Sequence, residues 1–480
     1  MAFYHGIKTS QKETSVSTPV EAGCGIPFVV GTAPVHTVGG KVNVPVLVTS
    51  WAEAVSALGY SDDWKNYTLC EMMYSHFRLY GMQPCVFVNV LDPKDSDAVE
   101  EVAGAVTNVV NRSADLPYEA ILTTLKVSAT ESGEALEEGT DWSAAYTDGV
   151  LRVELSRNGA AKDAKTIYVT YKKVKPDVVD KAGIIGGYDA ATGVYSGLET
   201  LDMVYPMYGI IPDLLLAPGY SHDPEVAAIL STKATSQGEL FEAKALIDVD
   251  ASAVKKYSDV LAWKKDKNIM AKYQVLGWPM VKLGEKVFHY SVAVAGVIAQ
   301  TDANNDACPS DSPSNKALQA DALVDADGNE IVLTLPQANY LNSVGVCTAF
   351  ALNGGLKIWG NYTACYPENT DVKDQFIPVS RTFAWVANSL ILTFWNKVDR
   401  PMNRMLVDNV TDSCNMWISS LAAEGKIIAG RVEAREDENP TIDLLQGKIK
   451  FHVFLTCTIP AQEIEFVLEY DPDKLANIFA

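Results

Sequence analysis

The chain has 480 residues, with a net charge of −21 from 39 basic and 60 acidic residues, and 48% apolar against 21% charged residues. That length predicts two to four domains, and the composition excludes a disordered chain. The acidic balance repels phosphate backbones, which argues against direct nucleic-acid binding and favours subunits that stay soluble at high concentration. No apolar run reaches the ~18–20 residues of a membrane span. The nearest, Phe383–Trp395, is interrupted by Asn388, Ser389 and Thr393, so no membrane insertion is expected. The start lacks a basic stretch followed by an apolar one; no secretory signal peptide is expected, and folding in the cytoplasm is. Eight cysteines (24, 70, 85, 308, 347, 365, 414 and 457) form no CxxC pair and sit mostly in apolar runs, the pattern of reduced, buried thiols.

Residues 1–20 are polar. Composition leaves open a frayed terminus or an extended arm, the latter drawing on β-capable residues such as Thr14 and Val16 ahead of Pro19. Strands are expected at Ile26–Gly31 and Val42–Val48. Ser50-Trp-Ala-Glu53 reads as a capping box for a helix that Gly59 stops. A second helix over Thr68–Tyr80 ends at Gly81, and Cys85–Leu91 reads as a strand buried on both faces. Val99–Val110 reads as a further helix. From about Ser113 the pattern turns to strands at Ile121–Ser128, Val150–Leu155 and Thr166–Val174, which predicts a small all-β module inserted at 113–182.

The α/β pattern then resumes. A strand is expected at Leu214–Ala217 and a helix from Asp223-Pro224 to Thr235. Ala245–Asp250 reads as a strand, Ala251–Ala262 and His289–Gln300 as helices, and Asp325–Asn329 as a turn before a strand at Glu330–Leu335. Two helical runs, Thr382–Asn396 and Met402–Glu424, open the last hundred residues. Two alternating strands close them, at Ile449–Ile459 and Glu463–Tyr470. In the second, Ile464, Phe466, Leu468 and Tyr470 share one face and Glu463, Glu465 and Glu469 the other. A one-residue slip would bury three glutamates, so the register is well specified, and the acidic face discourages random edge pairing.

Chemistry-bearing motifs are weak. Ser221-His222-Asp223 has the residue types of a triad, but neighbours in sequence point apart and no GxSxG elbow is present. Gly183-Ile-Ile-Gly-Gly187 lacks the Gly-Lys-Ser/Thr of a phosphate loop. Asp302-Ala-Asn-Asn-Asp306 matches half of an EF-hand loop, with Ala307 and Pro313 where Gly and Glu are required. No catalytic, metal or cofactor-binding residue is expected, and no cofactor.

The order of several segments resembles the contractile tail sheath proteins of bacteriophages and phage-like injection systems. Gly186–Leu201 is similar to the family's GG-D-TG stretch leading into G-L-x-x-L, and Val292–Asp302 to its AG-x-x-A-x-x-D helix. Leu341–Val346 resembles its LN-x-x-G step, Trp359–Thr363 its WG-x-R-T, and Phe376–Arg381 its INVRR segment. Tyr362 and Ser380 depart from that pattern, each replacing an Arg. The resemblance covers about residues 183–470, with a weaker match over 1–110.

The resemblance implies a multidomain α+β and α/β chain. An N-terminal arm (1–20) would precede an α/β sheath domain (21–112 and 183–370) carrying the inserted module. A C-terminal α+β domain (371–462) facing the tail tube and a C-terminal strand or arm (463–480) would follow. The arms would complete small sheets in neighbouring subunits through Thr14, Val16, Ile464, Phe466, Leu468 and Tyr470. The implied function is structural: stacked hexameric rings form a metastable helical sheath around an inner tail tube, between baseplate and tail terminator proteins. Assembled in the bacterial cytoplasm, the sheath would contract to drive the tube through a cell envelope. The alternatives are a non-contractile tube or surface-layer protein, and an α/β enzyme with a β insertion.

Overall fold

A computed structural model of the chain describes residues 19–131, 133–352, 354–472 and 478. The first apolar run becomes β1 (Pro27–Gly31), buried at all five positions. β2 (Val46–Val48) is shorter than expected, because Asn43 turns the chain with a φ of 52°. Ser50 caps α1 (Trp51–Leu58) by accepting from the Glu53 N–H, whereas the Glu53 carboxylate reaches Thr49 and leaves the box half closed. α2 (Thr68–Met73) continues into a π-helical turn at Tyr74–Leu79. β3 (Cys85–Asn89) is buried throughout, as its unbroken apolar run predicts.

Next come β4 (Val99–Asn108), β5 (Ser113–Leu116), β6 (Lys126–Ser128), β7 (Trp142–Thr147), β8 (Val150–Leu155) and β9 (Thr166–Val174). They form two three-stranded sheets, β4-β9-β6 and β5-β8-β7, around a core of their own that includes Trp142, Leu151, Val153, Ile167 and Val169. The helix expected over Val99–Val110 is therefore wrong. Its apolar spacing of three comes from a bulge between Val102 and Ala105 on β4, where Gly104 has a φ of 60°. The bulge resets the alternation, so Val102 and Ala105 both pack on the same core three residues apart, which imitates a helical period. In the expected strand Ile121–Ser128, residues Leu122–Thr124 instead make a 3-10 turn before β6.

α3 (Lys181–Ile185) and the hairpin of β10 (Gly187–Asp189) and β11 (Val194–Ser196) lead into α4 (Val204–Tyr208) and β12 (Leu214–Leu216). α5 (Pro224–Thr235) has the expected bounds, with Asp223 as its cap. β13 (Lys244–Asp248), α6 (Val260–Asp266) and β14 (Gln274–Gly277) follow. The helix expected from Ala251 starts late, because the Asp250 carboxylate captures the Ser252 and Ala253 N–H groups in a turn. β15 (Met280–Leu283), β16 (Lys286–Phe288) and β17 (Ala322–Val324) make a small antiparallel sheet, with the buried α7 (Tyr290–Asn304) inserted before β17. No strand forms at Glu330–Leu335. The Asp325 carboxylate holds the turn through the Asp327 and Asn329 N–H groups, and Thr334 already caps α8 (Leu335–Ser343). β18 (Val346–Ala351) and β19 (Leu356–Trp359) complete the main sheet.

That sheet has the order β19-β18-β14-β13-β12-β1-β3-β2. β18, β14, β13, β12, β1 and β3 are mutually parallel, and the two edge strands run antiparallel. Helices cover its faces, which is why its inner strands read as continuous apolar runs.

After α9 (Val372–Gln375), α10 (Ile377–Phe394) and α11 (Arg404–Ala423) form a helical hairpin. β20 (Ile427–Glu433) and β21 (His452–Cys457), joined through α12 (Thr441–Leu445), make a two-stranded antiparallel sheet. Together they enclose a second core around Trp385, Val410, Trp417, Ile418 and Leu421. β20 carries a bulge between Ile427 and Ala429. The strand expected at Ile449–Ile459 is confined to β21. Glu463–Tyr470 is not a strand in the single chain: its backbone finds no ladder partner there.

Candidate inter-subunit interface

The two ends of the described chain converge on the C-terminal domain. Running backwards from β1, residues 26 to 20 lie along α10. Trp385 Nε1 donates to the Ala22 carbonyl at 2.7 Å, Ala22 N donates to Ser389 Oγ at 2.9 Å, and Val20 N donates to Thr393 Oγ1 at 2.8 Å. Trp385, Ser389 and Thr393 are spaced by four, so they form one helix face reserved for this segment. Trp417 Nε1 of α11 adds a bond to Glu21 Oε1 at 3.1 Å. Thr14 and Val16, expected to share strands with a neighbour, lie outside the described residues.

The other end leaves from a fixed root. Tyr362 stacks on Tyr366, with ring centroids 3.8 Å apart and planes within 3°, and its other ring neighbour is Phe376 at 5.1 Å. Its hydroxyl donates to Gln462 Oε1 at 2.7 Å. Beyond Gln462 the segment is solvated: Ile464, Phe466, Leu468 and Tyr470 are 71%, 84%, 95% and 73% exposed. The structure brings none of these four onto a protein surface. Nearby, β20 and β21 pair only with each other among the described residues, so each has an outer edge without a strand.

Another face of α10 locks it to the amino ends of the main-sheet strands. Arg381 is 3% exposed and Asp302, in the last turn of α7, is 1% exposed. The guanidinium binds Asp302 with two parallel bonds of 2.9 and 2.5 Å and reaches Asp213, just before β12, at 2.6 Å. The other Asp213 oxygen accepts from Ile26 N at 2.7 Å. Gly25 makes the approach possible: its φ is 67°, and a Cβ there would meet Ala299 Cα at 2.8 Å. Burial pushes the Asp302 carboxyl up, against the pull of Arg381.

Beside this cluster, Lys244 Nζ donates to Ser380 Oγ at 2.6 Å and lies 4.7 Å from the Tyr273 ring centroid. Burial lowers its pKa to about 7. Asn388 exchanges two bonds with the Glu242 backbone. Sequence reasoning missed this node because its partners are 79 and 168 residues from Arg381. The available signal was a charge inside an apolar helix, paired with the acidic end of another.

The motifs weighed for chemistry have structural roles here. Ser221 Oγ donates to Asp248, not to its sequence neighbour Asp223. A cleft of about 420 Å³ opens at the carboxyl ends of β12, β13 and β14, where open α/β sheets hold ligands. Two of its carboxylates are engaged in starting α7, and the third, Asp250, holds the Ser252–Ala253 turn: His289 N donates to Glu71 at 2.5 Å, and Ser291 N and Oγ donate to Asp248 at 2.7 and 2.6 Å. Burial disfavours the charged form of His289, and Glu71, 2.8 Å from Nδ1, reverses that and raises its pKa to about 9. Among the described residues no cluster of three or more His, Cys, Asp or Glu is placed to hold a metal ion, and no helix is long and apolar enough to cross a membrane.

No protein-family model matches the chain. In sequence it is 27% identical to the tail sheath protein of Burkholderia phage BcepMu, over 99% of this chain and 98% of that protein. In fold it matches the helical sheath of the anti-feeding prophage in its contracted state, with a TM-score of 0.57 and 14% identity over 98% of this chain and all of the other. The contracted sheath complex of PVC, an extracellular contractile injection system, aligns with a TM-score of 0.57 and 13% identity over 99% of both chains. By sequence along its whole length, and with a mixed α/β multidomain fold shared with contractile sheaths, the chain is a homologue of the tail sheath proteins.

Proposed function

We propose that this chain is the structural subunit of a contractile tail sheath, and that its two ends link it to neighbouring copies. One observation carries the linkage. A well-patterned strand sequence stands exposed, rooted at Gln462, on a domain whose two-stranded sheet has no further strand at either edge among the described residues. Adding a strand to such an edge supplies main-chain bonds, and the alternate apolar side chains fix the register. A heterologous contact of this kind does not close on itself, so repetition builds a tube. The residues before 19 would serve a second edge in the same way.

Within the assembled particle we assign the hairpin tip between α10 and α11 to the inner tail tube. Trp395, Val398 and Met405 are 61%, 61% and 76% exposed there. Lys397, Arg400 and Arg404 flank them against one Asp399, a basic apolar tip on a strongly acidic chain. The all-β sheets of residues 99–174 form the inserted module and face outward; β4 and β9 pair at Val99 and Val174, so one strand pair carries the module's only chain connections. A baseplate below and a terminator above would bound the stack.

Contraction requires that subunits gain contact as they rotate. At ~25 cal/mol per Å² of apolar surface, a few hundred Å² per subunit contributes several kcal/mol, and arms long enough to span the movement keep the copies joined. Electron microscopy of purified particles tests the reading: long thin and short wide hollow tubes are expected. A single fixed diameter under every trigger contradicts contraction and leaves a non-contractile structural protein. A density map with residues 120–175 against the tube contradicts the outward module.

A further inference from the structure

Both chain ends meet the α/β body at one shared carboxylate, Asp213. The N-terminal segment is fixed to Asp213 by Ile26 N, and α10, which carries the whole C-terminal domain, is fixed through Arg381 to Asp213 and Asp302. The Cys24 thiol lies beside the same carboxylates. We infer that Arg381 is a positioning residue that holds the N-terminal segment, the C-terminal domain and the α/β body in one fixed orientation, so that force arriving through the arms turns the subunit as one body. This inference rests on the sheath reading for its purpose, but its structural content does not depend on it.

The chemistry favours orientation over stability as the role. A buried Arg with two carboxylates sacrifices its hydration, and apolar side chains of similar shape often serve stability as well or better. What apolar packing lacks is direction. The planar guanidinium donates two parallel bonds to one side and a third to another, which fixes the angle between α7, the approach to β12, and α10. Lys244–Ser380 and Asn388–Glu242 flank the node along α10, at positions 380 and 388. Arg381 Nε is buried without a hydrogen-bond partner, so the geometry serves the two carboxylates and not the fullest satisfaction of the guanidinium.

The test uses the full-length subunit and hydrogen exchange resolved by peptide. Arg381→Met alone leaves the buried Asp302 and half-buried Asp213 carboxylates without their cation and is expected to unfold easily, so the informative variant combines Arg381→Met, Asp302→Leu and Asp213→Asn. The amide oxygen introduced by Asp213→Asn can still accept from Ile26 N. The triple variant is expected to keep wild-type protection in β1, β12 and β13, while amides of 20–26 and 378–393 exchange about tenfold faster. Arg381→Lys, a point charge without the fork, should fall between the two. In assembled particles the triple variant should give sheaths of irregular twist. Wild-type protection at both segments overturns the inference, as does uniform loss of protection across the chain, which would make the cluster a general stability element. Failure of wild-type particles to form sheaths would count against the sheath reading alone, since the exchange result stands without it.

Discussion

The main sheet and the C-terminal tail answer the same sequence signal in opposite ways. β3 and Glu463–Tyr470 are both strand-like sequences with apolar residues at the spacing a sheet requires. Residues of β3 are buried at every position between β1 and β2, whereas Leu468 is 95% exposed. A strand pattern states that a segment belongs in a sheet. It does not state that the sheet belongs to the same chain. Among the described residues the main sheet pairs all its strands within the chain, whereas the two-stranded sheet of the C-terminal domain has no further strand at either edge and residues 463–470 pair with none.

The comparison breaks most sharply on assembly. Ending the chain at Gln462, or deleting residues 1–18, should leave monodisperse folded subunits that form no sheath, read by sedimentation and electron microscopy. Normal tubes from either truncation would contradict the arm linkage. The next effect is on stability. Leu215→Ala, in β12 at 0% exposure, should cost about 2–5 kcal/mol in denaturant unfolding. Leu468→Ser should change subunit stability by no more than about 0.5 kcal/mol and yet impair assembly. Equal effects of the two substitutions on the isolated subunit would show that the tail packs on its own chain.

Gly25→Ala should destabilise by about 1–3 kcal/mol, from the positive φ and the contact with Ala299. Since Gly25 sits where the N-terminal segment joins the body, the loss should be accompanied by faster exchange at 20–26.

A further effect is on pH. His289 has a folded pKa of about 9, above the usual 6.5. The folded state then holds its proton more tightly, so the stabilisation from the Glu71 pair is full below pH 6.5 and lost as pH rises through 9. Lys244 acts in the opposite direction. Its folded pKa is about 7 against 10.5, so the penalty of burying its charge is full below pH 7 and relieved as pH rises towards 10.5. Glu71→Gln should remove the first contribution, leaving stability that rises from about pH 7 to 9. A pH profile identical to wild type would contradict the His289 assignment.

Much of the body was legible in the sequence. Asp223-Pro224 and the closing Thr235 bounded α5, and the runs Val150–Leu155 and Thr166–Val174 are strands at those residues. These segments are governed by local caps and by an unbroken period. Legibility failed where a local defect changed the period, as at the β4 bulge. It also failed where a short side chain captured the backbone, as Asp250 does ahead of the expected helix. The candidate interface was half legible. The alternation of 463–470 is local and could be read, whereas the Arg381 node joins residues from three distant segments. Tyr362 shows the same limit: it departs from the Arg of the family's pattern, and its stacking on Tyr366 and grip on Gln462 emerge only in three dimensions.

The most direct measurement is a cryo-electron density map of the assembled particle, traced continuously from Gln462 onward. Residues 464–470 are expected to lie as a strand on the outer edge of β20 or β21 of a neighbouring subunit, with Ile464, Phe466, Leu468 and Tyr470 turned into its core and the glutamates outward. A trace in which that segment folds back onto its own chain, or stands free of any neighbouring sheet, would contradict strand sharing between subunits.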